Sequence, residues 1–206
     1  MKRYLGIDLG GTNIKFALIE IDGEKIRELA KDQISTEAKF GPDHVTKRIA
    51  DLIIEQNKQL AIDGVAVAVP GIFNHDTGAI LLFPNLPGNW ENYPFAQEIQ
   101  KATGKNIALI NDARAFCLAE STLGAGRGHR FVACIVMGTG VGGGVAQAGD
   151  LVLDFIRAEL HERNHLWPNS AFKVVPAQLS FFAGATGAAL KAAAAAGTQL
   201  SFTSIT

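Results

Sequence analysis

Apolar positions near the start of the chain come in short runs separated by turn residues. Residues 3–9 and 13–21 are apolar-rich and β-compatible, and "GGTN" lies between them. "DGEK" at 22–25 is a second turn, and "IRELAKDQIS" can form a third strand, so three strands in meander are expected. The spacing then changes. From His44 to Leu60, the residues Val45, Ile49, Leu52, Ile53 and Leu60 fall on one helical face. "GVAVAVPG" (64–71) reads as a short buried strand ended by Pro70-Gly71, and "FPNLPGNW" (83–90) as a Pro/Gly-rich loop. Residues 94–103 look helical, "NIALIND" (106–112) looks like another buried strand, and Ala113 to Leu123 looks helical again. The order β-β-β-α-β-α-β-α predicts a complete α/β lobe with helices covering a mixed sheet.

After "GAGRGH" (124–129) the pattern starts over. "RFVACIVMGTGVGGGVAQAGDL" is again strand, glycine-rich turn, strand, an echo of residues 3–21 that predicts two similar halves. The second half then fades. "VLDFIRAELHERNH" reads as a helix, "FKVVPAQL" as one short strand, "FFAGATGAALKAAAAAG" as a small-residue helix and "TQLSFTSIT" as a loose tail. Residues 1–129 are therefore expected to form an N-terminal α/β lobe, and residues 130–206 a shortened C-terminal one.

Composition narrows the class. Apolar residues make up 48% of the 206 residues and charged residues 19%, as in a globular protein with a real core. The formal net charge of −1 and the lack of a basic block give no footprint for nucleic acid or an anionic membrane. No apolar stretch is long enough to span a bilayer, and "MKRYLGID" lacks the apolar core of a secretion signal, so a cytoplasmic location is expected. Cys117 and Cys134 stand in unrelated contexts and read as two reduced, partly buried thiols. A zinc site needs more ligands at closer spacing, so none is expected. His44, His75, His129, His161 and His165 are scattered among polar residues and read as solvated surface.

The two glycine turns carry the chemistry. Consecutive glycines let backbone N–H groups converge on an anion, and Thr12 and Thr139 add hydroxyls at equivalent places. Either turn alone reads more simply as a plain hairpin; two of them, each with a Thr beside glycine, suit a phosphate clamp shared between lobes. "GTGVGG" (138–143) formally fits a dinucleotide fingerprint, but the glycine-rich residues after it read as a strand where that motif requires a helix. A Walker A loop is absent. Asp112, in "INDARAFCLAE", sits where a buried strand gives way to a helix. It is either a helix cap or a carboxylate at the edge of an α/β cleft. Asn85 and Pro70-Gly71 by themselves are only loop and turn residues.

Taken in order, "GIDLGGTNIKFAL", "PG", "PNLPGNW", "NDARAFCLAE" and "VMGTGVGGGV" resemble the ROK family of sugar kinases, the bacterial glucokinase type. That family belongs to the actin-like ATPase superfamily. The match runs from Tyr4 to about Leu151, and "FKVVPAQLSFFAGATGAALKAA" is more weakly similar to the family's last strand and helix. The resemblance implies an actin-like (ribonuclease H-like) α/β fold of two similar lobes, the C-terminal one incomplete here. It implies ATP-dependent phosphorylation of a hexose at its 6-hydroxyl, with Asp112 as general base. Asn111, Asn85 and Gly71, together with Asp112, would hold the sugar. Gly10, Gly11, Thr12 and Lys15, with Gly138, Thr139, Gly140 and Gly142, would cradle ATP phosphates, and Asp8 would orient Mg²⁺ through water. A homo-oligomer is compatible with the resemblance. Two family segments are missing after Asp150: the sugar-binding G-E-x-G-H and a C-x-C-G-x-x-G-C zinc cluster. A non-catalytic sugar or nucleotide binder and an inactive kinase remnant therefore stand as alternatives. Family repressors carry a helix-turn-helix domain before the first phosphate motif, which starts here at residue 4, so DNA binding is not expected.

Overall fold

The computed structural model describes residues 1–129, 131–137, 141–147, 175–198 and 200. Strands β1 (Lys2–Leu9), β2 (Asn13–Asp22) and β3 (Lys25–Ser35) form the expected antiparallel meander. Leu9 stands opposite Ile14 at the first turn, and Asp22 opposite Lys25 at the second. A 3₁₀ turn (Ala38–Phe40) leads into α1 (Pro42–Gln59), whose first residue is a proline at a position where no N–H is needed. β4 (Gly64–Val69) pairs in parallel with β1. A small hairpin, β5 (Ile72–Phe73) and β6 (Ile80–Leu82), precedes α2 (Phe95–Thr103). β7 (Ile107–Asn111) then pairs in parallel with β4 and passes directly into α3 (Asp112–Thr122). The sheet order is β3-β2-β1-β4-β7, so the mixed sheet expected from the element order is present.

Alternation along β1 divides the core between the two faces of this sheet. Leu5, Ile7 and Leu9 pack with Val45, Ile49 and Ile53 of α1 and with Phe95 and Ile99 of α2. Tyr4, Gly6 and Asp8 look the other way, toward α4 (Ala183–Ala195). There Ala189, Leu190, Ala192 and Ala193 pack with Tyr4, Ile19 and Ala66. The contact is made at backbone distance. A methyl group at Gly6 would overlap the Ala185 carbonyl and the Ala189 nitrogen, and one at Gly187 would overlap the Ala115 carbonyl of α3. The small residues of α4 are what this approach requires.

The second hairpin, β8 (Phe131–Met137) and β9 (Val141–Gln147), is antiparallel like β1–β2, with Met137 opposite Val141. It is separate from the five-stranded sheet and packs on α3, where a Cβ at Gly144 would meet the Ala113 carbonyl and the Cys117 Cβ. Two expectations change. The β5–β6 hairpin was hidden inside what reads as turn and loop. The strand expected over "FKVVPAQL" is absent from its described part: residues 175–179 have no regular structure. Pro176 lacks an N–H, and the N–H groups of Gln178 and Leu179 donate instead to the Glu120 carboxylate at 2.7–3.1 Å. The helix expected within 151–165 and most of the loose tail lie outside the described residues. Thr198, however, is held, its hydroxyl 2.5 Å from that of the buried Tyr4. Among the described residues no helix is long and apolar enough to cross a membrane.

Candidate active site

Parallel pairing brings the ends of three strands to one edge of the sheet. Asp8 of β1 stands opposite Ala68 of β4, and Val69 stands opposite Asn111 of β7. Open α/β sheets place ligands beyond the carboxyl ends of such strands. Asn111 is the N-cap of α3: its Oδ1 accepts the Arg114 N–H at 3.3 Å, and its Nδ2 donates to the Gly71 carbonyl at 3.4 Å. The cap is thus Asn111, and Asp112 is the first residue of the helix. One Asp112 oxygen accepts the Ala113 N–H at 2.7 Å. Burial pushes the Asp112 carboxyl above its ordinary value, against the lowering effects of that N–H and of the Asn111 side chain.

Asp8 is more enclosed, its side chain 18% exposed, with Lys15 Nζ 3.8 Å away across the β1–β2 pair. The start of α4 closes on it from the other side, where a Cβ at Gly184 would lie 2.6 Å from Asp8 Oδ2. Burial raises the Asp8 pKa to about 6; Lys15 opposes the rise, and the charge of Asp112 adds to it. The folded chain therefore keeps the Asp8 proton up to about 6, whereas an ordinary carboxyl releases it at 3.8. Between these values the folded state binds more protons, so the Asp8 contribution to stability is fully present below 3.8 and lost as pH rises through 6. Asp8→Asn keeps the neutral form at every pH. Urea unfolding should find it more stable than the parent by about 3 kcal/mol at pH 8 and equal to it near pH 3.5. Equal stability at both pH values would rule out the buried charge.

The glycine turn between β1 and β2 is braced from below. The Gly10 N–H donates to the Asn13 carbonyl at 3.0 Å. The fully buried Thr36 donates its N–H to the Thr12 carbonyl at 2.8 Å and its hydroxyl to the Gly10 carbonyl at 2.6 Å. Gly11 and Thr12 stay exposed at the tip. The backbone carbonyl of Asn85 lies against the turn, 3.3 Å from where a Gly11 Cβ would be. Gly71 has φ +151°, and a side chain there would overlap the Leu82 carbonyl, so only glycine fits. Asp8, Gly10, Gly11, Thr12, Gly71, Asn85, Asn111 and Asp112 thus gather at one edge of the sheet. Gly142 belongs to β9, opposite Val136, whereas Gly138, Thr139 and Gly140 lie outside the described residues.

Four contributors to this region carry no sequence signal that pattern reading uses. Thr36 braces the turn, and Gly184 admits α4 to Asp8. The Phe181 ring covers Lys15, with Nζ 3.8 Å from the ring centroid. Glu120 holds the backbone leading to α4. His44 also differs from the expectation of a merely solvated side chain. Its Nε2 is 2.7 Å from the Glu37 carboxylate, which Arg48 also approaches at 3.2 Å. The 660 Å³ cleft lined by Glu20, Arg27, Ser121 and Arg127 holds none of the expected site residues. No group of three or more potential metal ligands occurs among the described residues. The Asp8 carboxylate, which feels the charge of Asp112, fits a hydrated Mg²⁺ better than a dehydrated ion in a full protein cage.

Known proteins share this α/β architecture. Residues 4–154 match the ROK family. The chain is 38% identical over 160 residues to a glucokinase of Thermotoga maritima, covering 77% of this chain and 49% of that protein. Among solved structures, a ROK hexokinase from Thermus thermophilus superposes with a TM-score of 0.58 at 32% identity, covering 70% of this chain and 47% of that one. A ROK family glucokinase from Streptomyces griseus, in complex with glucose and AMPPNP, gives a TM-score of 0.60 at 27% identity, covering 69% and 44%. The chain therefore spans about half the length of the relatives it matches, in keeping with an actin-like kinase fold whose second lobe is incomplete. With the family model covering most of its length and the same α/β architecture in its structural neighbours, this chain belongs to the ROK family.

Proposed function

We propose that this chain carries the phosphate turn and catalytic carboxylate of an ATP-dependent hexose kinase acting at the sugar 6-hydroxyl. The observation that carries the reading is the position of Asp112 at the sheet edge that also bears Asp8 and the Gly10–Gly11–Thr12 turn. The similar proteins named as glucokinases and hexokinase support it.

In this reading, residues 1–129 form the N-terminal lobe and residues 130–206 the shortened C-terminal one. Gly71, Asn85 and Asn111 hold the sugar hydroxyls. Asp112 accepts the 6-hydroxyl proton as that oxygen attacks the γ-phosphorus of ATP, and ADP departs. A base lifted toward neutrality by burial suits this transfer better than an ordinary carboxylate. Gly10, Gly11 and Thr12, with Lys15 beside them, receive phosphate oxygens from one side; Gly138, Thr139, Gly140 and Gly142 receive them from the other. Asp8 is the residue that would hold Mg²⁺ through water, and the ion when bound would neutralise phosphate charge.

A coupled assay with ATP, Mg²⁺ and a panel of hexoses tests the reading. Asp112→Asn is expected to lower turnover by about 10²–10⁴-fold while leaving the fold intact by circular dichroism. Turnover that is absent, or indifferent to this substitution, would sink the kinase reading. The missing G-E-x-G-H segment favours a second reading, a binder without catalysis. Heat on titration with glucose or a non-hydrolysable ATP analogue, without turnover, would select it; no heat from either would leave an inactive remnant.

A further inference from the structure

The two cysteines, separate in sequence and apparently unrelated, meet in space. Cys117 is buried on α3, and its Sγ donates to the Val132 carbonyl of β8 at 3.5 Å. Cys134 lies two residues further along β8. Exposure alternates along this strand: Phe131, Ala133 and Ile135 are exposed, while Val132, Cys134 and Val136 are half-buried. Cys134 stands directly opposite Gly144 of β9. That glycine closes the triangle, because a Cβ built on it would lie 2.9 Å from the Cys117 Cβ. Cys117 thus occupies the space above the Cys134–Gly144 pair, close enough for its thiol to act on that of Cys134.

We propose that Cys117 and Cys134 are an oxidation site, a thiol pair that closes reversibly into a disulfide and fastens β8 to α3. The inference does not rest on the kinase reading, since the chemistry lies in the two sulfurs alone. The half-buried Cys134 meets the oxidant first. With a peroxide as oxidant, its thiolate attacks one peroxide oxygen, the O–O bond breaks, and a sulfenic acid forms as hydroxide leaves. The Cys117 sulfur then attacks the sulfenic sulfur, the S–S bond forms, and the sulfenic oxygen leaves as water. Two thiols lose two electrons and two protons, and hydrogen peroxide becomes two waters. Burial holds the Cys134 thiol above its ordinary value, so little thiolate exists at neutral pH and air alone reacts slowly. The bond would have a mechanical consequence. α3 begins with Asp112, so a staple between α3 and β8 fixes the second hairpin to the helix that carries this carboxylate.

The test treats the full chain with hydrogen peroxide at mildly alkaline pH, then alkylates under denaturing conditions and maps peptides without reductant. The expected product is a monomer lighter by two hydrogens, with the Cys117 and Cys134 peptides joined and separated again by dithiothreitol. Its unfolding midpoint should rise by about 6 °C over the reduced chain. Cys134→Ser should give no link and no such rise. Both peptides alkylated after oxidation, or sulfur bridges found only between chains, would overturn the proposal.

Discussion

Replacing Glu120 with alanine is expected to destabilise the chain by about 3 kcal/mol, read as a lower midpoint in urea unfolding. Glu120 sits on α3 at 2% exposure, and both carboxylate oxygens point at backbone. The Ala125 N–H donates to it at 2.8 Å just beyond the end of its own helix. From the far side of the chain the Gln178 N–H donates at 3.0 and 3.1 Å, and the Leu179 N–H at 2.7 Å. Hydrogen bonds to a charged acceptor are each worth about 1.5–3 kcal/mol, and three donors lose their partner together. Gln178 is exposed and its N–H can turn to water, which leaves two donors and puts the loss at about 3 kcal/mol. Glu120→Gln retains one acceptor oxygen but places an NH₂ against an N–H, so it should fall between alanine and the parent. An unchanged midpoint for the alanine variant would mean that residues 178–179 are not held by this carboxylate.

A single methyl group in the other direction should do comparable damage. Gly6→Ala forces a Cβ into the backbone of α4, and Gly187→Ala forces one into the backbone of α3. Neither neighbour is a side chain that can rotate away. Overpacking in a well-filled core costs about 1–3 kcal/mol, and overlap with backbone on two elements belongs at or above the top of that range. The near-UV circular dichroism signal and the thermal midpoint should fall for both. Gly143→Ala, whose Cβ would meet the Cys134 carbonyl at an ordinary 3.4 Å, provides the matched control and should change little. A Gly6→Ala chain melting with the parent would show that β1 and α4 do not approach at backbone distance.

These two sites also mark where the sequence stops being readable. The meander, α1, the buried strands β4 and β7 and the first glycine turn were legible because each is written in local periodicity or turn chemistry. Val45, Ile49, Leu52 and Ile53 announce the buried face of α1 without help from any other segment. Asp112 was legible as a carboxylate at a strand-to-helix junction, and its neighbour Asn111 resolved which of the two caps the helix. Glu120 had no such mark. Nothing within ten residues indicates that a glutamate in a helical run will accept N–H groups from positions 178 and 179. The same holds for Thr36 under the Gly10 turn, for Cys117 beside Cys134, and for the small-residue helix α4. Its alanines and glycines announce a helix, but the reason for their size lies on β1 and α3. What was missed is long-range contact, which periodicity does not encode.

The contact between β1 and α4 also orders events in time. Leu5, Ile7 and Leu9 can be covered as soon as α1 and α2 exist, whereas Tyr4, Gly6 and Asp8 on the same strand wait for residues 183–195. On a ribosome, the α1–α2 side of the sheet can close while its other side stays open to water until residues 183–195 have emerged. Closing that second face joins β1 to a helix that begins only at Ala183, a slow kind of contact. Until it forms, the uncovered strands are a natural substrate for a holding chaperone and a hazard without one.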